Sequence, residues 1–177
     1  MNMLGARLLP LVLLAVTALN GCSLIPPYAS CEGTGAALAE LDALPVLALR
    51  PARAVPVEGG TATTAHCVDD TAGAWLDARR LYAYDGSREE VLEYYAREAP
   101  AAGWRPPGRF AEARTLGFSV FCFESREQPS LTLAFERPEQ LRELDGLQLD
   151  PGPGGPGSRI WFSLSVEAET DGSRMDC

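Results

Sequence analysis

One short segment brings together side chains that could do acid–base or metal chemistry. It runs from Ala65 to Asp70 and contains His66, the only histidine of the chain. A histidine beside a carboxylate can act as a general base in hydrolysis, and His66 with Asp69 and Asp70 could ligate a divalent cation. The chain has no Gly-x-Ser-x-Gly motif for a nucleophile, and adjacent aspartates on a strand point to opposite faces. The segment therefore favours a solvated turn, with a hydrolase or a divalent-metal-binding protein of the envelope as the alternative.

An apolar run near the N-terminus ends in a cysteine. Arg7 is the only charged residue before Glu32, and residues 8–19 are almost entirely apolar. This layout is typical of an export signal, and the run is shorter than the roughly 20 residues that a membrane-spanning helix needs. The closing residues, Leu19-Asn20-Gly21-Cys22, resemble the lipobox of bacterial lipoproteins.

The resemblance implies that the thiol of Cys22 receives a diacylglyceryl group and that the chain is cleaved before it. Residues 1–21 would then be a lipoprotein signal peptide, 22–30 a tether and 31–177 a single domain. Two or more acyl chains hold a protein durably on a membrane surface, whereas one chain binds weakly. The sequence therefore predicts an extracytoplasmic protein, lipid-anchored to the bacterial cell membrane, or to the outer membrane in a cell that has two.

The other four cysteines predict two disulfide bonds. An even number of cysteines in an exported chain is typical of a disulfide framework, and Cys31, Cys67, Cys122 and Cys177 allow three connectivities. We favour Cys67 with Cys122, because both lie in or beside predicted strands, and Cys31 with Cys177, which would join the chain ends. The sequence has no Cys-x-x-Cys motif, so structural bonds are favoured over a redox or metal site.

The charge of the chain limits its partners. The sequence has 24 acidic residues against 15 basic ones, all of them arginine, and a net charge of −9. A surface this acidic argues against nucleic acid as a partner. The complete use of arginine in place of lysine fits a high-GC genome, such as that of an actinobacterium. The sequence indicates no cofactor and no bound metal.

Strands and helices are predicted from hydrophobic periodicity and from the turn residues between periodic segments. The predicted strands are 61–68, 78–84, 117–124, 130–136 and 159–168, with an edge strand inside 46–57 that prolines interrupt. The predicted helices are 35–44, 138–144 and a longer one over 87–102, where Ser87 and Glu90 form a capping box. The tract 150–157 is rich in Pro and Gly and is predicted to be a mobile loop.

These elements predict an α+β fold: an antiparallel β-sheet with one or two helices packed on one face, braced by disulfides. The elements between Cys67 and Ala168 also resemble those of small uncharacterised actinobacterial lipoproteins, and this resemblance carries no functional residues.

Aromatic side chains supply the candidate binding surface. Trp161 lies opposite the apolar stripe of its strand, so we expect it to be exposed unless something covers it, and Tyr82 and Tyr84 of an earlier strand complete the candidate surface. Aromatic side chains give a large contact area at low entropic cost. Because no catalytic constellation is recognised, the sequence favours a non-enzymatic binding or interaction module, with an envelope protein as its candidate partner.

Overall fold

Within the residues that the structure describes, six antiparallel strands and four α-helices form an α+β fold, as predicted. The computed structural model describes residues 29–59, 64–71, 73–150, 152 and 158–177. The predicted signal peptide, nearly all of the tether and most of the tract 150–157 lie outside these residues. No helix within them is long and apolar enough to cross a membrane.

The elements follow one another closely along the chain, and a 3₁₀ turn at Pro45–Ala48 follows the first helix. In order they are α1 (Gly35–Asp42), β1 (Ala54–Val57), β2 (His66–Asp70), β3 (Gly73–Tyr84), α2 (Arg88–Ala101), α3 (Phe110–Thr115), β4 (Val120–Phe123), β5 (Leu131–Glu136), α4 (Pro138–Glu143) and β6 (Ile160–Glu169).

Strands β3 and β6 form the centre of the sheet and pair over ten positions. On one side of this pair, β5 lies beside β6 and β4 lies at the edge. On the other side, β1 and β2 share β3, because β1 pairs with residues 81–84 and β2 pairs with residues 73–77. The sheet therefore has one edge formed by β4 and a second edge formed by β1 and β2.

One face of the sheet, which we call the helix face, holds the main hydrophobic core. Four α2 side chains that share one side of the helix (Val91, Leu92, Tyr95 and Ala99) are buried against strands β3 to β6. Leu41 of α1 and Phe110 of α3 belong to the same core. Burying a large apolar side chain contributes about 1.5–3 kcal/mol, so this face is the main source of stability. The strand residues of the core include Leu76, Tyr82, Phe162, Leu164, Leu133 and Phe121.

Helix α2 begins at the predicted capping box. The amide of Glu90 donates to Ser87 Oγ at 3.2 Å, and the amide of Ser87 donates to Glu90 Oε2 at 2.7 Å. These bonds satisfy two N–H groups that the first turn of a helix leaves without partners. They fix where the helix starts, and hence which of its side chains face the sheet.

The opposite face, which we call the open face, is covered at one end only. There α4 and the segment after it place Leu141 and Leu147 on Leu81, Ala83 and Trp161, and these five side chains form a second buried cluster. The sequence predicts one or two helices on one face; three helices, α1, α2 and α3, pack on the helix face, and α4 lies on the other.

The two disulfides join pairs of cysteines that differ from the pairing we favoured. Cys31 bonds to Cys67 and Cys122 bonds to Cys177, with Cα–Cα distances of 5.7 and 6.1 Å. The favoured bond between Cys67 and Cys122 was wrong because β2 and β4 lie at opposite edges of the sheet. Four strand spacings of about 4.8 Å separate them, and the two side chains point to opposite faces.

Several elements also differ from the prediction. The strand expected over 61–68 is observed at β2, whereas residues 61–63 lie outside the described residues. Strand β3 begins at Gly73, earlier than predicted, because it pairs with β2 as a hairpin. Helix α3 was not predicted, since it has only six residues and follows Pro106-Pro107-Gly108; its Phe110 is buried among core phenylalanines.

Candidate functional site

A groove of about 340 Å³ lies on the open face, where α4 does not cover the sheet. Strands β2, β3, β5 and β6 supply its lining together with Asp145, which follows α4, and we call it the acidic groove. The lining residues that determine its chemistry are Trp75, Asp77, Arg79, Glu136, Ser163 and Glu167.

The groove is a depression in the sheet surface because small side chains lie next to one another on neighbouring strands. Ala134 of β5 lies opposite Ser163 of β6, and Ser165 lies between Thr132 and Arg79 in the pairing of β5, β6 and β3. Longer side chains stand around these positions. A depression in the sheet surface results from this order of small and large residues.

An ion pair fixes one wall of the groove. Arg79 Nη2 donates to Glu136 Oε1 at 2.5 Å, and Ser163 Oγ donates to the same oxygen at 2.6 Å. The Ser163 residue is only 2% exposed, so its hydroxyl is held away from solvent. Charge-assisted bonds of this kind are short and strong, and they hold the Glu136 carboxylate in one orientation.

Three titratable side chains line up across the strands at the other end of the groove. His66 of β2 lies opposite Asp77 of β3, and Asp77 lies opposite Glu167 of β6. His66 Nδ1 is 3.9 Å from Asp77 Oδ2 and 3.1 Å from the carbonyl oxygen of Thr64. The shorter contact fits an N–H donor at Nδ1, which leaves Nε2 as the acceptor in the neutral ring.

The environment of Asp77 raises its pKa to about 6 from the ordinary 3.8. Burial is the largest cause, because it disfavours the charged carboxylate, and the negative charge of Glu167 adds to it. His66 and Arg79 act in the opposite direction. A cation bound close to Asp77 would therefore stabilise the charged form of its carboxylate.

Acidic side chains outnumber basic ones in the groove. Asp77, Glu136, Asp145 and Glu167 face a single arginine, Arg79, and Glu136 is the carboxylate that Arg79 neutralises. The indole of Trp75, half-buried on β3, adds an aromatic wall. Carboxylates beside an aromatic ring attract a cation through charge and through the electrons of the ring face.

Of His66, Asp69 and Asp70, only His66 lines the groove. Asp69 and Asp70 lie at the end of the β2–β3 hairpin, opposite Ala74 and Gly73, where adjacent residues alternate between faces. Asp69 is therefore on the helix face and separated from His66. In the described part of the chain, no three His, Cys, Asp or Glu side chains are placed to hold a metal ion.

The aromatic surface predicted from the sequence is buried. Trp161, Tyr82 and Tyr84 are 6%, 2% and 4% exposed. Trp161 does lie opposite the apolar stripe of β6, but Leu141 and Leu147 cover it. Tyr82 faces the core and its hydroxyl donates to the carbonyl oxygen of Leu47. These three side chains therefore form no accessible binding surface, contrary to the prediction, and they stabilise the fold instead.

The sequence signal for the groove is the polar alternation of two long strands. In β3, Trp75, Asp77 and Arg79 alternate with buried residues, and in β6, Ser163, Ser165 and Glu167 do the same. Two long strands with a polar face predict a sheet with one open side. That these two faces lie next to each other could not be read from the sequence without the strand order.

Comparison of the chain with known protein families, with curated proteins and with solved structures found no match. Its function is therefore inferred from the chemistry of the acidic groove and from the N-terminal segment.

Proposed function

We propose that this chain is a lipid-anchored, extracytoplasmic binding module of the bacterial cell envelope, and that its acidic groove receives a cationic group of the ligand. The observation that carries this proposal is the groove itself, an open depression lined by four carboxylates and one arginine. The lipobox-like residues that end at Cys22 support the anchor, and the two disulfides support an oxidising compartment outside the cytoplasm.

The lining favours an alkylammonium or guanidinium group over a neutral or anionic one. Arg79 forms its ion pair with Glu136, not with Asp77 or Glu167, and a cation would lower the cost of burying the Asp77 charge. The indole of Trp75 can stack on such a group. A volume of about 340 Å³ admits a small amine or a single basic side chain of a larger partner.

The groove supports binding better than hydrolysis. The hydroxyl of Ser163 donates to Glu136 rather than to His66, and the Glu136 carboxylate beside it is already paired with Arg79, so this serine is held by a structural bond. His66 and Asp69 point to opposite faces of the sheet, which separates two of the three residues that the hydrolase or metal-binding alternative needs.

A matched pair of small probes tests the proposal. We expect n-butylammonium to shift the NMR signals of the Trp75 indole and of the Ser165 and Glu167 amides, and we expect butyrate, of similar size, to leave them unchanged. Glu167→Gln should weaken the butylammonium response several-fold, because it removes one groove carboxylate.

Glu139→Gln is the matched control, since it removes the same charge from exposed α4 outside the groove and should leave the response intact. Equal responses to butylammonium and butyrate, or a response that Glu167→Gln does not change, would contradict the proposal.

A further inference from the structure

Strand β4 forms a sheet edge that carries exposed apolar side chains. Leu116, Phe118 and Val120 are 64%, 54% and 58% exposed, and we call them the edge patch. Among the described residues only two other large hydrophobic side chains are exposed, Val55 and Leu144. Three of the five therefore gather within residues 116–120. Such clustering on a soluble domain marks a surface that another molecule covers.

The backbone of β4 presents unpaired hydrogen-bonding groups at the same place. Ser119 O accepts from the amide of Phe135 in β5, whereas Glu124 exchanges two bonds with Arg105 on the outer side. Because successive residues of a strand alternate in direction, the N–H and C=O groups of Val120 and Cys122 point outward. Pro106 and Pro107, which follow Arg105, have no N–H groups to extend this pairing, and among the described residues no backbone hydrogen bond reaches these four groups.

The opposite edge of the sheet has protective features that β4 lacks. β1 contains Pro56, which has no N–H to offer, and β2 ends in Asp69 and Asp70. Proline and charged side chains are the usual means of preventing edge-to-edge pairing. β4, with the sequence Val-Phe-Cys-Phe, has neither.

We propose that β4 pairs antiparallel with β4 of a second copy of this chain, so that one continuous sheet crosses a two-fold axis. An antiparallel edge is self-complementary, because the outward N–H groups of one copy meet the outward C=O groups of the other. A two-fold interface needs only one surface patch per chain, and it is the commonest oligomeric arrangement.

The charge distribution favours a second copy at this edge. The whole chain carries a net charge of −9, which makes two copies repel each other over most of their surface. No acidic residue occurs between Glu112 and Glu124, and the one basic residue there, Arg114, is paired with Glu89, so two copies can share the edge patch without bringing unpaired like charges together. Pairing there would cover Leu116, Phe118 and Val120 in both chains.

Sedimentation equilibrium of the full chain in a density-matched non-ionic detergent tests the proposal. We expect twice the mass of one chain at micromolar concentrations, and the mass of one chain for Val120→Glu and for Phe118→Ser. Val55→Glu is the matched control, because Val55 is also a valine on an edge strand and is also 58% exposed. It should leave the dimer intact.

Hydrogen exchange gives a second measurement that does not depend on a variant. The amides of Val120 and Cys122 should exchange more slowly at high protein concentration than at low concentration, while the amide of Phe121, which faces β5, should be protected at both. A wild-type chain of single mass throughout, or a dimer that survives Val120→Glu, would overturn the proposal. If the wild-type chain has a single mass throughout, a strand of a different protein becomes the candidate partner of β4.

Discussion

Asp77 is buried and lies near the negative charge of Glu167, and for both reasons its charged form lowers the stability of the folded chain. Its pKa rises from 3.8 to about 6 on folding. Between these pH values the folded chain binds more protons than the unfolded chain, so stability decreases as the pH rises through this range. The contribution of Asp77 to the free energy of unfolding is most favourable below about pH 4 and is lost above about pH 6. A cost of this kind fits a residue kept for binding rather than for stability.

We predict that Asp77→Asn stabilises the protein near neutral pH. The shift of about two units corresponds to roughly 1–3 kcal/mol in the free energy of unfolding, and the gain should vanish near pH 4, where Asp77 is protonated in the folded chain. Urea unfolding of both proteins across this range measures the difference. Asp69→Asn, on an exposed residue outside the groove, is the control. A difference that does not change with pH would contradict the assignment of the raised pKa to Asp77.

Helix α4 is the element that decides how much of the open face remains open. It is only six residues long, and only Arg137 separates it from β5. Leu141 and Leu147 then cover one end of the sheet, and the groove begins where this cover stops. The same short segment therefore buries Trp161 and bounds the groove.

We predict that Trp161→Ala lowers the free energy of unfolding by about 3–5 kcal/mol, the usual cost of removing a large buried aromatic side chain. Thermal or urea unfolding measures it. Leu144→Ala, in the same segment but 77% exposed, should change stability by no more than about 0.5 kcal/mol. Equal stability of Trp161→Ala and the wild-type chain would mean that the cover over this end of the sheet does not form.

Local sequence patterns predict the helices and strands of this chain well. They do not predict the features that depend on contacts between distant segments. The capping box at Ser87 predicts the start of α2, and alternation predicts β6. Trp161 follows the alternation too, but its burial depends on Leu147, which lies fourteen positions away in a loop segment. The disulfide pairing depends on the strand order, which leaves Cys67 and Cys122 at opposite edges. The groove depends on the same order.

At the scale of the whole molecule, the two disulfides close loops that include most of the described domain. Their cysteines are 36 and 55 residues apart. In the chain-entropy account, each loop of this length stabilises the fold by about 4 kcal/mol. Together they connect the N-terminal segment to β2 and the C-terminus to β4. The two bonds thus hold both edges of the sheet.

We predict that the chain isolated from membranes begins at Cys22 and carries at least two acyl chains. Intact-mass spectrometry measures both features at once. Cys22→Ala should keep residues 1–21 and gain no lipid, because the thiol that accepts the diacylglyceryl group is gone. Ser23→Ala, one residue further on, should be processed as the wild-type chain is. An unmodified wild-type chain would refute the anchor while leaving the groove and the β4 edge untouched.

The bond between Cys31 and Cys67 also determines how the domain would bear a mechanical load. A pull on the chain before Cys31 passes directly to β2 through the disulfide, so the residues between the two cysteines carry no tension. Reduction of the bond would add up to about 120 Å of extensible chain. With the bond intact, force reaches β3, and with it the wall of the groove, after crossing a single pair of strands. The bond therefore keeps the load path from Cys31 to the groove wall short.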